Sequence, residues 1–521
     1  MTGQQVVVVG AGMGGLVAAL ELAQHGVPVT VIDTGTGPGG KLRQLRVDGR
    51  DIDSGPTVFT MRWVFDELFD SLGLDLDSEL ALQPLNVLAR HWWDDGSAMD
   101  LYADPGQSFD AVGNLAGLEE ARRFRDFCLQ ARSVYQTLEH PYIRRAAPTP
   151  WGLTREVGWR GLRVLTGLGP LRSLWANLSR RFTDDRLRQL FARYATYTGS
   201  SPWQAPATLM LIAQVEMEGV WSVEGGMQAL ASCLHRLAVA RGVQFRFETA
   251  CDRIVLQGRR ATGVRLTSGE QLEASAVVFA GDSSALRQGL LGDGARRAVP
   301  SRVAPRSLSA LTWTMHTPTV GLQLDRHNVF FQRGYADEFK DIFGRQQLPR
   351  TPTVYLCAQD RGVPGPAPVE GHPERLLCLV NAPAVGDQQP FTVEALERCE
   401  NNSFQLMRRC GLALMPAGPE VLRTTPHHFH QRFPATGGAL YGQASHGWMS
   451  AFARPRASTP VAGLFLAGGS VHPGPGVPMA ALSGRLAAAA LMDSLASTSS
   501  YPTVATSGGT STRSAKTAGT A

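Results

Sequence analysis

Three groups of residues have the types and spacing to hold a dinucleotide. The first is Gly10-Ala11-Gly12-Met13-Gly14-Gly15, a GxGxxG with Gly10, Gly12 and Gly15 in the key places. Gly10 permits a tight turn, Gly12 lets the backbone approach a pyrophosphate, and Gly15 lets a helix pack closely on a strand. Asp33 follows eighteen residues after Gly15, where a carboxylate can accept from ribose hydroxyls. The second group is a loop carrying Gly35, Gly37, Gly39 and Gly40, then Lys41-Leu42-Arg43. A cofactor longer than NAD, with a ring system beyond its diphosphate, would use such a second backbone-exposing loop. The third group stands far along the chain: Gly468-Gly469-Ser470-Val471-His472-Pro473-Gly474-Pro475-Gly476-Val477-Pro478-Met479. A helix starting at Val477–Met479 would turn its positive end toward an electron-rich ring. His472 admits two readings, a catalytic base or, more ordinarily, a structural hydrogen-bonding residue in a Pro/Gly loop.

The elements that must position these groups can be read around them. Val6-Val7-Val8-Val9 reads as a buried parallel strand running into the glycines. Leu16 to His25 is a helix stopped by Gly26, and Val29 to Ile32 is a second strand ending on Asp33. Gly463 to Ala467 reads as a strand, followed by a small-residue helix from Ala480 to Asp493 with Pro478 in its first turn. Small residues there permit close approach to a sheet or a cofactor. In the middle, Trp221 to Met227 opens a helix to about Ala240, Val243 to Phe247 is a strand, and segments starting at Ala250 and Thr262 form a β-meander. Ala274 to Ala280 is a further strand, closed by Gly281-Asp282. Cys251 reads as an inert buried thiol whose backbone can meet an adenine. Leu308 to about Leu440 alternates apolar stretches with Pro/Gly turns, which suggests an antiparallel sheet. Thr317-Pro318-Thr319 within it reads equally as strand or turn.

Composition narrows the classes. With 43% hydrophobic and 18% charged residues, disorder as the main state is excluded. A net charge of +5 does not indicate a nucleic-acid partner. The seven cysteines are scattered without a CxxC, which argues against a disulfide framework or a zinc site. No signal peptide is expected, and no run reaches the ~18 apolar residues of a membrane span. One stretch stands out. Residues 142–182 carry eight arginines against Glu156, interleaved with Trp151, Trp159, Trp175 and several leucines. Its local excess is larger than that of the whole chain, and Gly169-Pro170 should split it into two helices. Arg with Trp and Leu on opposite faces suits a helix lying on anionic lipid. An amphipathic core helix with a solvated Arg face has the same composition.

Together these blocks resemble the FAD-dependent carotenoid desaturases of the phytoene-desaturase family, within the larger fold shared with amine oxidases. The resemblance runs from Val6 to about Asp493. Its most specific stretch is Gly468 to Pro478; Ser470-Val471 before the His and Met479 to Arg485 after it are similar to the branch that desaturates 1-hydroxycarotenoids (hydroxyneurosporene, methoxyneurosporene) at C-3,4. The resemblance implies an α/β protein with a Rossmann-like FAD-binding domain, an inserted mixed-sheet substrate domain and a helical membrane-associating region. It implies boundaries of 1–75, 220–295 and 455–493 for the FAD domain, 76–110 and 296–454 for the substrate domain, and 111–219 for the helical region. The Ser/Thr/Ala/Gly-rich 494–521 lies outside it and reads as a disordered tail. It further implies that Gly10, Gly12 and Gly15 hold the pyrophosphate and Asp33 the ribose. Cys251 would meet adenine, and Gly469 with Val477–Met479 would flank the flavin. Gly40-Lys41 replaces a usual Gly-Arg, which leaves the role of the Lys41 side chain open. The expected substrate is a carotenoid taken from lipid. The expected location is peripheral, on the cytoplasmic side of the membrane. No side-chain general base and no metal are expected. Competing readings are a phytoene or neurosporene desaturase, a non-catalytic lipid-binding protein of the same fold, and an amine oxidase, for which no aromatic cage is evident.

Overall fold

The four valines that open the chain's first strand alternate between two cores. In the computed structural model Val6 and Val8 pack into one cluster with Leu16, Leu20 and Val31, while Val7 joins a second with Ile32, Val264 and Val277. A strand covered on both faces must be apolar throughout, hence the unbroken Val run. The structure describes residues 5–499 apart from 170–171, 364, 366–367, 389 and 416–420.

Val6–Val9 lies centrally in a five-stranded sheet in which all neighbours are parallel. The order is Leu464–Leu466, Ala276–Phe279, Val6–Val9, Val29–Ile32, Gln244–Arg246. One face carries the fingerprint helix Met13–Gln24, the helix Met227–Ala240 and the closing helix Val477–Ser499. The other carries the antiparallel strands Cys251–Gln257, Arg260–Leu266 and Gln271–Glu273. The small residues of the closing helix serve a contact between helices: a Cβ on Gly484 would collide with the Gly14 carbonyl, and one on Gly14 would sit 2.6 Å from the Gly468 nitrogen. That helix begins at Val477 and runs past Asp493 to Ser499, so residues 494–499, read from sequence as tail, are helical. The rest of the expected disordered tail lies outside the described residues. The closing helix is long and apolar enough to cross a membrane, yet Arg485 on it pairs with Glu21 at 2.8 Å and Glu67 at 3.3 Å, and Ala481, Ala487 and Leu491 are wholly buried. These contacts make it a core helix.

The second sheet is mixed, as the resemblance implied, while every pairing within 308–440 is antiparallel, as the alternation suggested. Seven strands run in the order Ala413–Leu414, Ser309–Val320, Pro373–Ala382, Val354–Ala358, His327–Phe331, Val87–Trp93, Ala98–Tyr102, with Leu422–Thr424 also on Ser309–Val320. His327–Phe331 pairs in parallel with Val87–Trp93, a strand contributed from far upstream, and this one pairing makes the sheet mixed. Thr317–Thr319 is strand, with Pro318 opposite Pro373. Trp221–Val223 is also a strand, on Leu82–Pro84, and the following helix starts only at Met227.

The helices of 105–217 share a core with the second sheet. The basic stretch does split: Pro150–Gly167 is helical on either side of a kink at Gly158, where the backbone leaves helical geometry (φ 60°), and Leu174–Arg181 is a separate helix. Thr149 caps the first by accepting from Gly152 N, with Pro150 in its first turn. Ser173 caps the second from Ala176 N.

Candidate functional site

The two glycine loops meet at the carboxyl end of the parallel sheet, where such folds bind nucleotides. Gly39 N donates to Ala11 O (2.9 Å), and a Cβ on Gly40 would lie 3.2 Å from Gly12 Cα. Asp33 braces both loops, its carboxylate accepting from Ala11 N and Gly35 N, each at 2.6 Å. Gly15 faces the other way. A Cβ there would run into the Gly10 carbonyl, so its role is the close passage of helix over strand. A Cβ on Gly12 would meet nothing within 4 Å. The backbone at Gly12 therefore borders open space that a ligand can enter.

That space is a cavity of about 1580 Å³. Gly10, Gly12, Asp33, Gly40, Lys41, Cys251, Gly469, Val477 and Met479 all line it; Gly15 does not. The structure thus brings the three sequence-distant groups to one site. Cys251 is half-buried, and burial, aided by Asp252, pushes its thiol up to about 12, so it stays a neutral thiol. Lys41 Nζ donates to Leu440 O (2.6 Å) and lies 5.3 Å from the Phe433 ring centroid. Burial lowers its pKa, while the Asp282 carboxylate acts the other way.

His472 does not line the cavity. It is buried, its Nε2 is 2.8 Å from Arg145 O, and its ring packs edge-on to Tyr142. Burial pushes its pKa down to about 4, so the ring is neutral at ordinary pH. It ties the glycine loop to the helical region.

Sequence reasoning missed two features. Arg454, buried beside Gly469, donates to the carbonyls of Tyr441 (3.2 Å), Gly469 (3.3 Å) and Gln443 (2.9 Å), and burial lowers it to about 10. It is a fixed cation against the cavity wall. The second feature is a polar corner made by Arg193, Tyr197, Glu216 and Tyr355. Only the Arg193/Tyr197 spacing of four on one turn hinted at it.

Beyond the glycines the wall becomes aliphatic, with Leu153, Leu162, Leu165, Ile212, Leu377 and Leu379. Leu153, Leu162 and Leu165 belong to the kinked segment Pro150–Gly167, which exposes Trp151 (81%) before the kink and Trp159 (71%) after it. Trp448, also exposed, lines the cavity too.

A family model described as flavin containing amine oxidoreductase matches residues 13–492. The chain belongs to that family. It is 56% identical to a hydroxyneurosporene desaturase of Rubrivivax gelatinosus, covering 99% of this chain and 98% of that one. It is 44% identical to a hydroxyneurosporene desaturase of Cereibacter sphaeroides, over 95% and 99% of the two chains. Among solved structures, an oxidoreductase from Methanosarcina mazei superposes with a TM-score of 0.60 at 14% identity, over 94% of this chain and all of that one, which establishes the fold. The protein is an FAD-dependent oxidoreductase. Its residues fit the flavin dinucleotide: the open space at Gly12 is a cradle that a side chain would fill, Asp33 keeps carboxylate lone pairs beyond the two N–H bonds it accepts, and the cavity continues past the phosphate loops.

Proposed function

We propose that this flavoenzyme desaturates an acyclic 1-hydroxycarotenoid of the hydroxyneurosporene type at C-3,4. The observation that carries the reading is one cavity with two characters, a glycine-lined dinucleotide cradle opening into an aliphatic arm. The high identity to hydroxyneurosporene desaturases supports the branch. In this reading Gly10 and Gly12 receive the pyrophosphate, Asp33 the ribose and Cys251 the adenine. Gly40, Lys41, Gly469, Val477 and Met479 surround the ring, and Arg454 adds positive charge beside it. Residues 1–75, 220–295 and 455–493 then act as the cofactor unit, and 76–110 with 296–454 as the substrate unit.

When bound, FAD supplies a two-electron acceptor able to take a hydride while a proton leaves. The chain's own part is positioning and exclusion of water. The aliphatic wall lays the polyene along the cavity, and the glycine loops leave room for its reacting end.

The helix Pro150–Gly167 is the proposed membrane contact, on the cytoplasmic side. Trp151 and Trp159 would enter the interface, with Arg155, Arg160 and Arg163 beside them; among the described residues these three make no ion pair. Arg144 and Arg145 are spent on Glu67, Glu139 and Glu156. Each surface base contributes about 1 kcal/mol on anionic lipid. Co-sedimentation with anionic vesicles should therefore weaken with salt and in the triple Arg→Gln variant, and equal binding by that variant would sink the contact.

The function itself is tested by incubating the yellow holoenzyme with 1-hydroxyneurosporene and with neurosporene, followed by chromatography. Conversion of the hydroxylated substrate is expected. Conversion of neurosporene alone would overturn the branch assignment.

A further inference from the structure

A cavity built for a hydrocarbon has no need of a cation in its wall, yet the half-buried Arg193 lines it. Its guanidinium carries five N–H donors. One reaches Tyr197 Oη at 3.4 Å, and among the described residues the side chain has no other acceptor and no carboxylate within ion-pair distance. It is held over two rings instead, Tyr355 at 5.3 Å and Tyr197 at 5.6 Å from its central carbon. Its remaining N–H groups are left to donate to whatever occupies the cavity.

The charge balance indicates what kind of acceptor fits. Glu216 is buried and accepts from Tyr194 Oη (2.7 Å) and Tyr197 Oη (2.8 Å), and its charge acts on Arg193. A second anion would face that carboxylate, so a neutral oxygen suits the corner better. The corner's position matters as well. Tyr355 Oη bonds Thr57 Oγ1 at 2.6 Å, and Thr57 ends the turn whose Gly55 packs on the Lys41 carbonyl so tightly that a Cβ would collide with it. Arg193 is therefore tied, through one tyrosine and one turn, to the loop assigned to the flavin.

Resting on the desaturase reading, we propose that Arg193, held between Tyr197 and Tyr355, binds the terminal oxygen of the polyene and selects oxygen-ended substrates over hydrocarbons. In a 1-hydroxycarotenoid the oxygen-bearing carbon is two bonds from C-3, so the group that reads the oxygen must stand beside the reacting bond. The corner next to the flavin loop meets that demand. A guanidinium only donates. It binds an ether oxygen as well as a hydroxyl, so the 1-methoxy substrate is accepted too.

The experiment measures kcat/KM of the holoenzyme for hydroxyneurosporene, methoxyneurosporene and neurosporene, with FAD content read from absorbance. Wild type should convert the two oxygenated substrates within about tenfold of each other and prefer both to neurosporene. Loss of a charged hydrogen bond should cut that preference by about 10- to 100-fold in Arg193→Met, with partial recovery in Arg193→Lys. Tyr197→Phe should cut it by about tenfold or less. If Arg193→Met loses its flavin, Arg193→Lys and Tyr197→Phe carry the test. An unchanged preference in flavin-replete variants, or an equal loss on all three substrates, overturns the proposal while leaving the desaturase reading intact. Rejection of the methoxy substrate by wild type overturns it too. Wild type that converts no oxygenated carotenoid removes the desaturase reading itself, and this proposal with it.

Discussion

The two ends of the cavity are built from different material. At the nucleotide end the wall is backbone: Gly10, Gly12, Gly39, Gly40 and Gly469 line it, and at Gly12 a side chain would meet only open space. At the substrate end the wall is side chain, with aliphatic groups along the arm and Arg193, Tyr197, Glu216 and Tyr355 at the corner. A backbone wall recognises what every dinucleotide shares, and it changes only at the cost of the cofactor or of the fold. A side-chain wall can be altered one residue at a time. Cofactor and fold are thus held at one end while substrate choice varies at the other.

The sharpest way to break the contrast lies within the glycines themselves. Gly15→Ala would drive a Cβ into the Gly10 carbonyl, with the Ala280 Cβ also only 3.0 Å away. Both neighbours are fixed by the central strand, so relief requires moving the helix. We expect a loss of more than about 3 kcal/mol and no recoverable holoenzyme, read by soluble yield and thermal melting. Gly12→Ala should behave otherwise. Its Cβ meets nothing within 4 Å, so the protein should melt within about 0.5 kcal/mol of wild type measured without flavin. The added methyl occupies the approach to the pyrophosphate, and flavin affinity should fall by about 100-fold in equilibrium dialysis, equivalent to about 3 kcal/mol. Gly12→Ala and Gly15→Ala giving the same phenotype would mean that the cradle and the packing are one constraint.

The side-chain end should carry a pH sensitivity of its own. Glu338 is buried behind the arm, accepting from Asn381 Nδ2 (2.8 Å) and Thr353 N (3.0 Å), and burial raises it from 4.5 to about 7. A carboxyl raised in the folded state favours folding below its unfolded value, and that advantage disappears as pH rises through the folded value. Stability should therefore fall between about pH 4.5 and 7, by at most about 3 kcal/mol. Glu338→Gln stays neutral throughout, and its denaturation midpoint should lose less between pH 5 and pH 8 than that of wild type. Parallel losses in the two proteins would place the pH sensitivity elsewhere.

The same contrast explains what could be read in advance. The nucleotide end was legible because backbone requirements leave residue-type signatures: Gly10, Gly12 and Gly15 at fixed offsets, a Val run before them, Asp33 after. The substrate end leaves none. Arg193 and Tyr355 lie far apart in sequence on a helical turn and a strand, and nothing local to either says that they meet. The parallel pairing of His327–Phe331 with Val87–Trp93 was hidden for the same reason, since a strand's partner is not written in its own alternation. The break near Gly169 and the caps at Thr149 and Ser173 are local features, and there sequence and structure agree; the further kink at Gly158 was not read. The end of the closing helix was misread because Ser494 to Ser499 has a tail's composition but continues an established helix, where propagation costs little.

The smallest expected effect concerns His472, the histidine at the backbone end. His472 lies in the glycine loop, but its ring points away from the cavity, toward the Arg145 carbonyl and the face of the helical region. With its pKa pushed down to about 4, it changes charge well below the pH at which an enzyme of this kind would be assayed. His472→Ala removes a hydrogen bond and a ring packed on Tyr142, and both act on loop position alone. Turnover at full flavin occupancy should drop only a few-fold, about 1 kcal/mol in the barrier. A fall of more than about 100-fold with flavin retained would be the loss expected of a proton-transfer group. The backbone end would then do chemistry as well as hold the cofactor, and the division between the two ends would fail at that residue.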